Sequence, residues 1–169
     1  MKLICIGDSI TYGQNVRADE AWPAVLARLT GHDVRNAGAC GDTTRLGLER
    51  FPKDVQLHKP DVVVIQFGHN DANWYETDQG PRVSASAYAA NLAEMAARAL
   101  SAGAAPILLL PHDALGKDKS YNLRLAGWRA GVTWPAINPP EVSLLDDGYG
   151  LHPDPAMHER YAESVAAAL

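Results

Sequence analysis

The chain is poor in cysteine: Cys5 and Cys40 are its two, with no C-x-x-C and no zinc-ligand spacing. That excludes a disulfide scaffold and leaves no basis for a metal site. Cys5 falls in an apolar run and reads as a small buried hydrophobe, while Cys40 sits in a glycine-flanked loop. Positive charge is also short, since 15 Lys and Arg against 20 Asp and Glu give a net charge of −5. Binding a phosphate backbone needs clustered cations, so nucleic acid is not expected as a partner. No apolar run approaches the roughly 20 residues of a membrane span. Met1-Lys2 leads directly into apolar residues without room for a signal peptide, so the expected location is cytoplasmic, without membrane insertion. Internal repeats, low-complexity segments and a glycine-rich phosphate loop are missing too, and no cofactor is expected. What is present is ordinary for a globular chain: 47% hydrophobic and 21% charged residues over 169 positions read as one domain, 1–169, with its own core.

The chain is organised around Leu3-Ile4-Cys5-Ile6-Gly7-Asp8-Ser9. An unbroken apolar run is the pattern of a strand buried on both faces. Its break at Gly7 puts the Ser9 hydroxyl at the carboxyl end of that strand, where open α/β sheets bind ligands. Ser9 is a candidate nucleophile, against the plainer reading of a turn or cap residue.

Downstream, strands and helices alternate. Asp19-Glu20 begins a helix that ends at Gly31, with Trp22, Val25, Leu26 and Leu29 on one face. His32–Arg35 is a short strand that runs into the small-residue loop Asn36–Thr44, and Thr43 or Thr44 caps a helix to about Leu57, interrupted at Pro52. Val62–Phe67 is the strongest strand and ends in Gly68-His69-Asn70-Asp71. A polar stretch, 72–82, leads to a helix from about Ser86 to Ala102, and Ala105–Leu110 is the next strand. Asn122–Arg129 reads as a weak helix, and Val132–Asn138 or Val142–Leu145 as the last strand. Asp154-Pro155 opens the final helix. This alternation predicts a parallel sheet with helices on both sides.

In such a sheet the clusters after the first three strands share one edge. Acyl transfer needs a nucleophile, a base and donors aimed at the developing oxyanion. Ser9 can supply the first. His152, in Gly150-Leu151-His152-Pro153, is the candidate base. The N–H groups of Ser9 and Gly38 and the Asn70 amide are the candidate donors.

With these blocks in this order the chain resembles the SGNH or GDSL hydrolases: Gly7-Asp8-Ser9, Gly38, Gly68-His69-Asn70-Asp71 and His152-Pro153 span nearly its whole length. The resemblance implies a flavodoxin-like three-layer α/β/α sandwich around a parallel sheet of about five strands. It implies Ser9 and His152 as nucleophile and base, with Ser9, Gly38 and Asn70 as the oxyanion hole. The third block looks most like the family's carbohydrate acetylesterases. The opening Gly-Asp-Ser-Ile-Thr-Tyr-Gly looks equally like its small-ester and lysophospholipase-type members.

One position departs from the family pattern. The acid stands three places before the histidine, and here that position is Tyr149, with Asp146 and Asp147 further upstream. Either the loop reroutes so that Asp147 reaches His152, or a carbonyl or the Tyr149 hydroxyl orients the ring in a Ser-His dyad. The dyad is favoured of the two, so Asp147→Asn is expected to cost less than about tenfold.

Other candidates carry competing readings. His69 and Asp71 stabilise their turn or contact substrate. His112-Asp113 line the pocket or form a surface pair, the latter favoured. Trp74, Tyr75 and Trp134 are a sugar-stacking platform or packing. His32, His58 and His158 are assigned no role. The loops 72–82 and 115–121, with Glu76, Asp78, Lys117, Asp118 and Lys119, are expected to set a short acyl pocket with a polar alcohol side. The expected function is hydrolysis of short acyl, foremost acetyl, esters, with an acetylated carbohydrate as a candidate substrate. The alternatives are a lysophospholipase or thioesterase and a catalytically impaired carbohydrate-binding module on the same fold. A flavodoxin-like mononucleotide binder is disfavoured by the missing phosphate loop. Oligomeric state, including a homo-oligomer, stays open.

Overall fold

The computed structural model describes residues 1–74, 80–117, 119–148 and 150–169. Five strands, β1 (Lys2–Gly7), β2 (Asp33–Gly38), β3 (Val62–Gln66), β4 (Ala105–Leu109) and β5 (Ala136–Ile137), form one sheet in the order β2-β1-β3-β4-β5. All four pairings are parallel, and this order is that of flavodoxin-like doubly wound folds. Gly7 pairs with Gly38 on one side and Gln66 on the other, so the first three strands end level with one another.

Alternation along β1 and β3 builds the two outer layers. Ile4, Ile6, Val63 and Ile65 face α3 (Thr44–Asp54), α5 (Ala85–Ser101) and α6 (Lys119–Ala130) through Phe51, Tyr88, Met95 and Leu125. Leu3, Cys5, Val62 and Val64 face α2 (Trp22–Thr30) and α7 (Pro155–Ala166) through Trp22, Leu26, Met157 and Tyr161. Every residue of β3 is buried, as its β-branched run predicts. The protein is thus a three-layer α/β/α sandwich.

Two short helices at the sheet edge, α1 (Ser9–Tyr12) and α4 (His69–Ala72), read as loop and turn in the sequence. Four residues are too few to show a period; α1 exists because Asp8 caps its start and left-handed Gly13 its end. β2 runs three residues beyond its expected end. α3 stops at Asp54, two residues past Pro52, and a 3₁₀ turn (Gln56–His58) follows. Val142–Leu145 forms no strand; Leu144 makes an isolated antiparallel bridge to Pro153. Asp154 caps α7 as expected, accepting from Met157 N. No helix among the described residues is long and apolar enough to cross a membrane.

Candidate active site

β1 delivers Ser9 to the sheet edge as the first residue of α1. The Asp8 carboxylate accepts from Ile10 N at 2.9 Å, which fixes the strand-to-helix turn. Gly7 has to be glycine here, because a Cβ would lie 2.1 Å from Thr11 Oγ1 and 2.5 Å from the Gln66 carbonyl. Asp8 is fully buried, and burial raises its carboxyl to about 7, against the bond from Ile10.

The segment before α7 brings His152 over Ser9. His152 Nε2 lies 3.3 Å from Ser9 Oγ, a loose bond of the kind such pairs show before substrate binds. On its other side, His152 Nδ1 lies 2.5 Å from Asp147 Oδ2. The loop does reroute: Asp147 accepts from Gly150 N at 3.1 Å and from Asn15 Nδ2 at 3.2 Å. The histidine and aspartate side chains are 7% and 9% exposed, so water screens the contact little. A carboxylate facing Nδ1 requires the proton there and leaves the Nε2 lone pair toward Ser9. The carbonyl-oriented dyad favoured from sequence is therefore not the observed geometry. Asp146 is exposed and points to no such partner, and Tyr149 lies outside the described residues. Asn15, with φ of 70°, was not singled out by sequence; asparagine tolerates that left-handed conformation.

The candidate donors divide. Asn70 and Ser9 line the same cavity of about 290 Å³ as His152. Gly38 does not: its N–H donates to Asn36 Oδ1 at 2.9 Å. A Cβ on Gly38 would meet Tyr12 N at 2.2 Å, so its glycine identity serves the packing of β2 on α1 rather than a ligand. The glycine that lines the cavity is Gly41, three residues on, at φ of 83°. The N–H groups of Ser9 and Gly41 and the Asn70 amide have no acceptor among the described residues.

Two ties hold these donors in register, and neither was legible in the sequence. Asp71, fully buried, accepts from Thr44 N at 2.9 Å and from its hydroxyl at 2.5 Å, binding the turn that carries Asn70 to the loop that carries Gly41. Burial raises this carboxyl to about 6, and the Thr44 bonds oppose the rise. Arg50 donates to the Gly7 carbonyl at 2.9 Å, the Ala37 carbonyl at 2.7 Å and Asp42 at 2.6 Å. One guanidinium thus clamps the ends of β1 and β2 to the residue after Gly41, a use of its fixed fork of donors.

Behind the cavity lie two further imidazoles. His69 lines it, with Nδ1 3.1 Å from the Tyr121 hydroxyl. Burial holds its ring well below the usual range and hence neutral, with His112 adding. His112 is not the surface residue expected: it is fully buried, its Nε2 2.8 Å from the Leu151 carbonyl and its Nδ1 2.8 Å from Tyr161 Oη. A carbonyl only accepts, so Nε2 carries the proton and Tyr161 donates to Nδ1. Burial lowers His112 to about 4. Its neighbour Asp113 pairs instead with Arg129 at 2.8 Å. Trp74 and Trp134 form no common platform: Arg124 covers the Trp74 ring at 5.3 Å, and Trp134 packs on the core. Tyr75, Glu76, Asp78 and Asp118 lie outside the described residues. A separate cavity of about 550 Å³, lined by Tyr12, Val16, Pro23, Val34 and Gly38 among others, includes none of Ser9, His152 and Asn70.

A hydroxyl, an imidazole and a carboxylate in succession at the carboxyl edge of a doubly wound sheet form the arrangement that α/β serine hydrolases use. The family model for GDSL-like lipases and acylhydrolases matches residues 5–160, and the chain belongs to that family. It is 32% identical to an arylesterase of Vibrio mimicus, over 99% of this chain and 88% of that one. Among solved structures, a lipase/acylhydrolase from Enterococcus faecalis superposes with a TM-score of 0.73 at 26% identity, covering 99% of this chain and 95% of that one. An acetylxylan esterase from Geobacillus stearothermophilus shares the fold with a TM-score of 0.78 at 22% identity, covering 98% and 92%. The protein is a carboxylic ester hydrolase.

Proposed function

We propose that the protein cleaves short acyl esters, acetyl esters foremost, through an acyl-enzyme on Ser9. The reading rests on one observation above all: Ser9 Oγ, His152 and Asp147 follow one another at 3.3 and 2.5 Å, beside three donors with no acceptor among the described residues. His152 Nε2 takes the proton as Ser9 Oγ attacks the ester carbonyl carbon. The carbonyl π pair moves to oxygen, which the Ser9 and Gly41 N–H groups and the Asn70 amide receive. Asp147 holds the tautomer and stabilises the imidazolium. His152 then returns the proton to the departing alcohol as the C–O bond breaks. Water, deprotonated by the same nitrogen, releases the acid and restores Ser9.

The cavity, about 290 Å³ and edged by Gln14, Asn73 and Lys117, supports a small acyl group and a polar alcohol, an acetylated carbohydrate among the candidates. The free thiols of Cys5 and Cys40 suit a reducing, cytoplasmic compartment. The test is a panel of nitrophenyl esters with the wild type and Ser9→Ala. Turnover should be fastest on acetyl to butyryl and vanish in the variant at an unchanged melting temperature. A rate that climbs to decanoyl would favour a lipid or thioester substrate. Failure of a phosphonate probe to label Ser9 would leave only the binding-module reading.

A further inference from the structure

We infer that the hydrolase site continues into a cationic subsite, built by Lys117 and Arg124, that holds an anionic group on the non-reacting part of the substrate. The inference rests on the ester-hydrolase reading above. A second cavity, about 390 Å³, adjoins the catalytic one and shares Asn73, Lys117 and Tyr121 with it. Arg124 and Trp74 complete its wall.

Both cations converge on one ring. Lys117 Nζ and the Arg124 guanidinium carbon each lie 5.9 Å from the centroid of Tyr121. The same tyrosine hydroxyl donates to the His69 carbonyl at 3.2 Å, so the ring is fixed to the catalytic edge. Like charges brought together cost Coulomb energy unless an anion joins them. Elsewhere in this acidic chain Arg17, Arg45, Arg50, Arg98 and Arg129 each have a carboxylate beside them, while Arg28, Arg35, Arg82 and Arg160 have no ion pair among the described residues but line neither of these two cavities. Neither Lys117 nor Arg124 has one among the described residues. Arg124 donates to Ser120 Oγ at 3.0 Å, and its Nε is buried without an acceptor. It also lies over the Trp74 ring, 5.3 Å from its centroid, and both residues line the cavity. A planar fork with unspent donors and a mobile ammonium suit a carboxylate or phosphate. An uncharged sugar would leave both charges uncompensated.

Two ester pairs separate the sources of the anion. One pair is 4-acetoxybenzoate and its methyl ester, charged or neutral on the alcohol side. The other is nitrophenyl hemisuccinate and nitrophenyl butyrate, charged or neutral on the acyl side. After correction for alkaline hydrolysis rates, the anionic member of one pair should have a kcat/KM about tenfold higher, and about 1 M salt should erase the preference. Lys117→Gln should lower the anionic-to-neutral ratio about tenfold and Arg124→Glu should invert it, each at an unchanged melting temperature. Ratios near one in both pairs, or a preference kept in Arg124→Glu, overturn the subsite. Calorimetry on Ser9→Ala gives an arm independent of turnover: 4-acetoxybenzoate should bind tighter than its methyl ester. Equal affinities, or no binding of either, overturn the subsite even if esterase activity is found. Tighter anion binding by a protein that hydrolyses no ester would instead uphold the subsite and sink the hydrolase reading.

Discussion

Asp147→Asn reverses the expectation drawn from sequence spacing and tests the site most sharply. The carboxylate accepts from the Gly150 N–H through one oxygen and faces His152 Nδ1 with the other. An asparagine has one oxygen and one NH₂ group. The Gly150 N–H belongs to the backbone and cannot turn away, so the amide oxygen stays with it. Asn15, the third neighbour, can rotate its own amide to match. The new NH₂ group then points at His152 Nδ1, which must become an acceptor. The ring proton moves to Nε2, and the imidazole can no longer take the proton from Ser9. In the serine-protease triad the same change lowers turnover ~10⁴-fold, or about 5 kcal/mol of barrier. With both side chains under a tenth exposed, a loss of about 10³- to 10⁴-fold in kcat is expected here. The assay is nitrophenyl acetate turnover with a parallel melting curve, with Asp146→Asn as the near-silent control. A loss below tenfold at an intact melting temperature would refute the argument and restore the dyad.

Three further outcomes follow from the geometry. Asn70→Ala removes one of the three proposed oxyanion donors and should lower kcat about 10²- to 10³-fold with little change in KM; a loss within fivefold would remove Asn70 from the hole. His112→Phe keeps the bulk but releases the Leu151 carbonyl next to His152; turnover and the rate of phosphonate labelling of Ser9 should fall together by about 10²-fold, and unchanged labelling would deny His112 a positioning role. His158 accepts from Trp22 N at 3.2 Å, and burial lowers it to about 4 from the usual 6.5 of an imidazole. Its neutral form contributes stability in full above that value and loses it as pH falls toward 4, by at most about 3 kcal/mol. Asp8 and Asp71, raised to about 7 and about 6, act in the opposite sense. The readout is therefore the difference: His158→Gln should lose less melting temperature than wild type between about pH 7 and pH 4.5, and parallel curves would contradict the assignment.

The fold and the placing of Ser9 and Asn70 at one edge of the sheet were legible because their signals are local. β1 and β3 are unbroken apolar runs buried on both faces, and such runs declare a central parallel sheet whatever lies around them. Ser9 and Asn70 follow those runs directly, so the topology alone places them at one edge. Gly38 was singled out over Gly41 because both stand in the same small-residue loop, and only the backbone path separates them. Gly38 ends β2 with its N–H spent on Asn36, while Gly41 lies beyond it at the cavity. Asp147 was undervalued because spacing assumes a regular turn. The stretch before His152 instead bends back, with Leu144 bridging to Pro153 and Leu145 N bonding the His152 carbonyl at 2.9 Å.

The residues that hold the site together follow a different logic from those that carry its chemistry. Ser9 and Asn70 closely follow the ends of β1 and β3, His152 lies shortly before α7, and their residue types are those that acyl transfer uses. Arg50 sits inside α3 with an ordinary helical sequence around it, 43 residues from the Gly7 carbonyl it binds. Asp71 reads as a turn residue, yet its partner Thr44 is 27 residues away. Both work across loops, where the backbone alone would leave the donors free to drift. Oxyanion stabilisation depends on donors being fixed before charge develops, since any that must reorganise lose their advantage. A buried carboxylate bonded by two Thr44 donors and a guanidinium spanning two strand ends supply that fixity. The cost is a carboxylate and a guanidinium partly or wholly removed from water, offset by the hydrogen bonds they make. Removing either partner would leave the other buried and unpaired, so loops that look free to vary in sequence are bound to one another through Arg50 and Asp71.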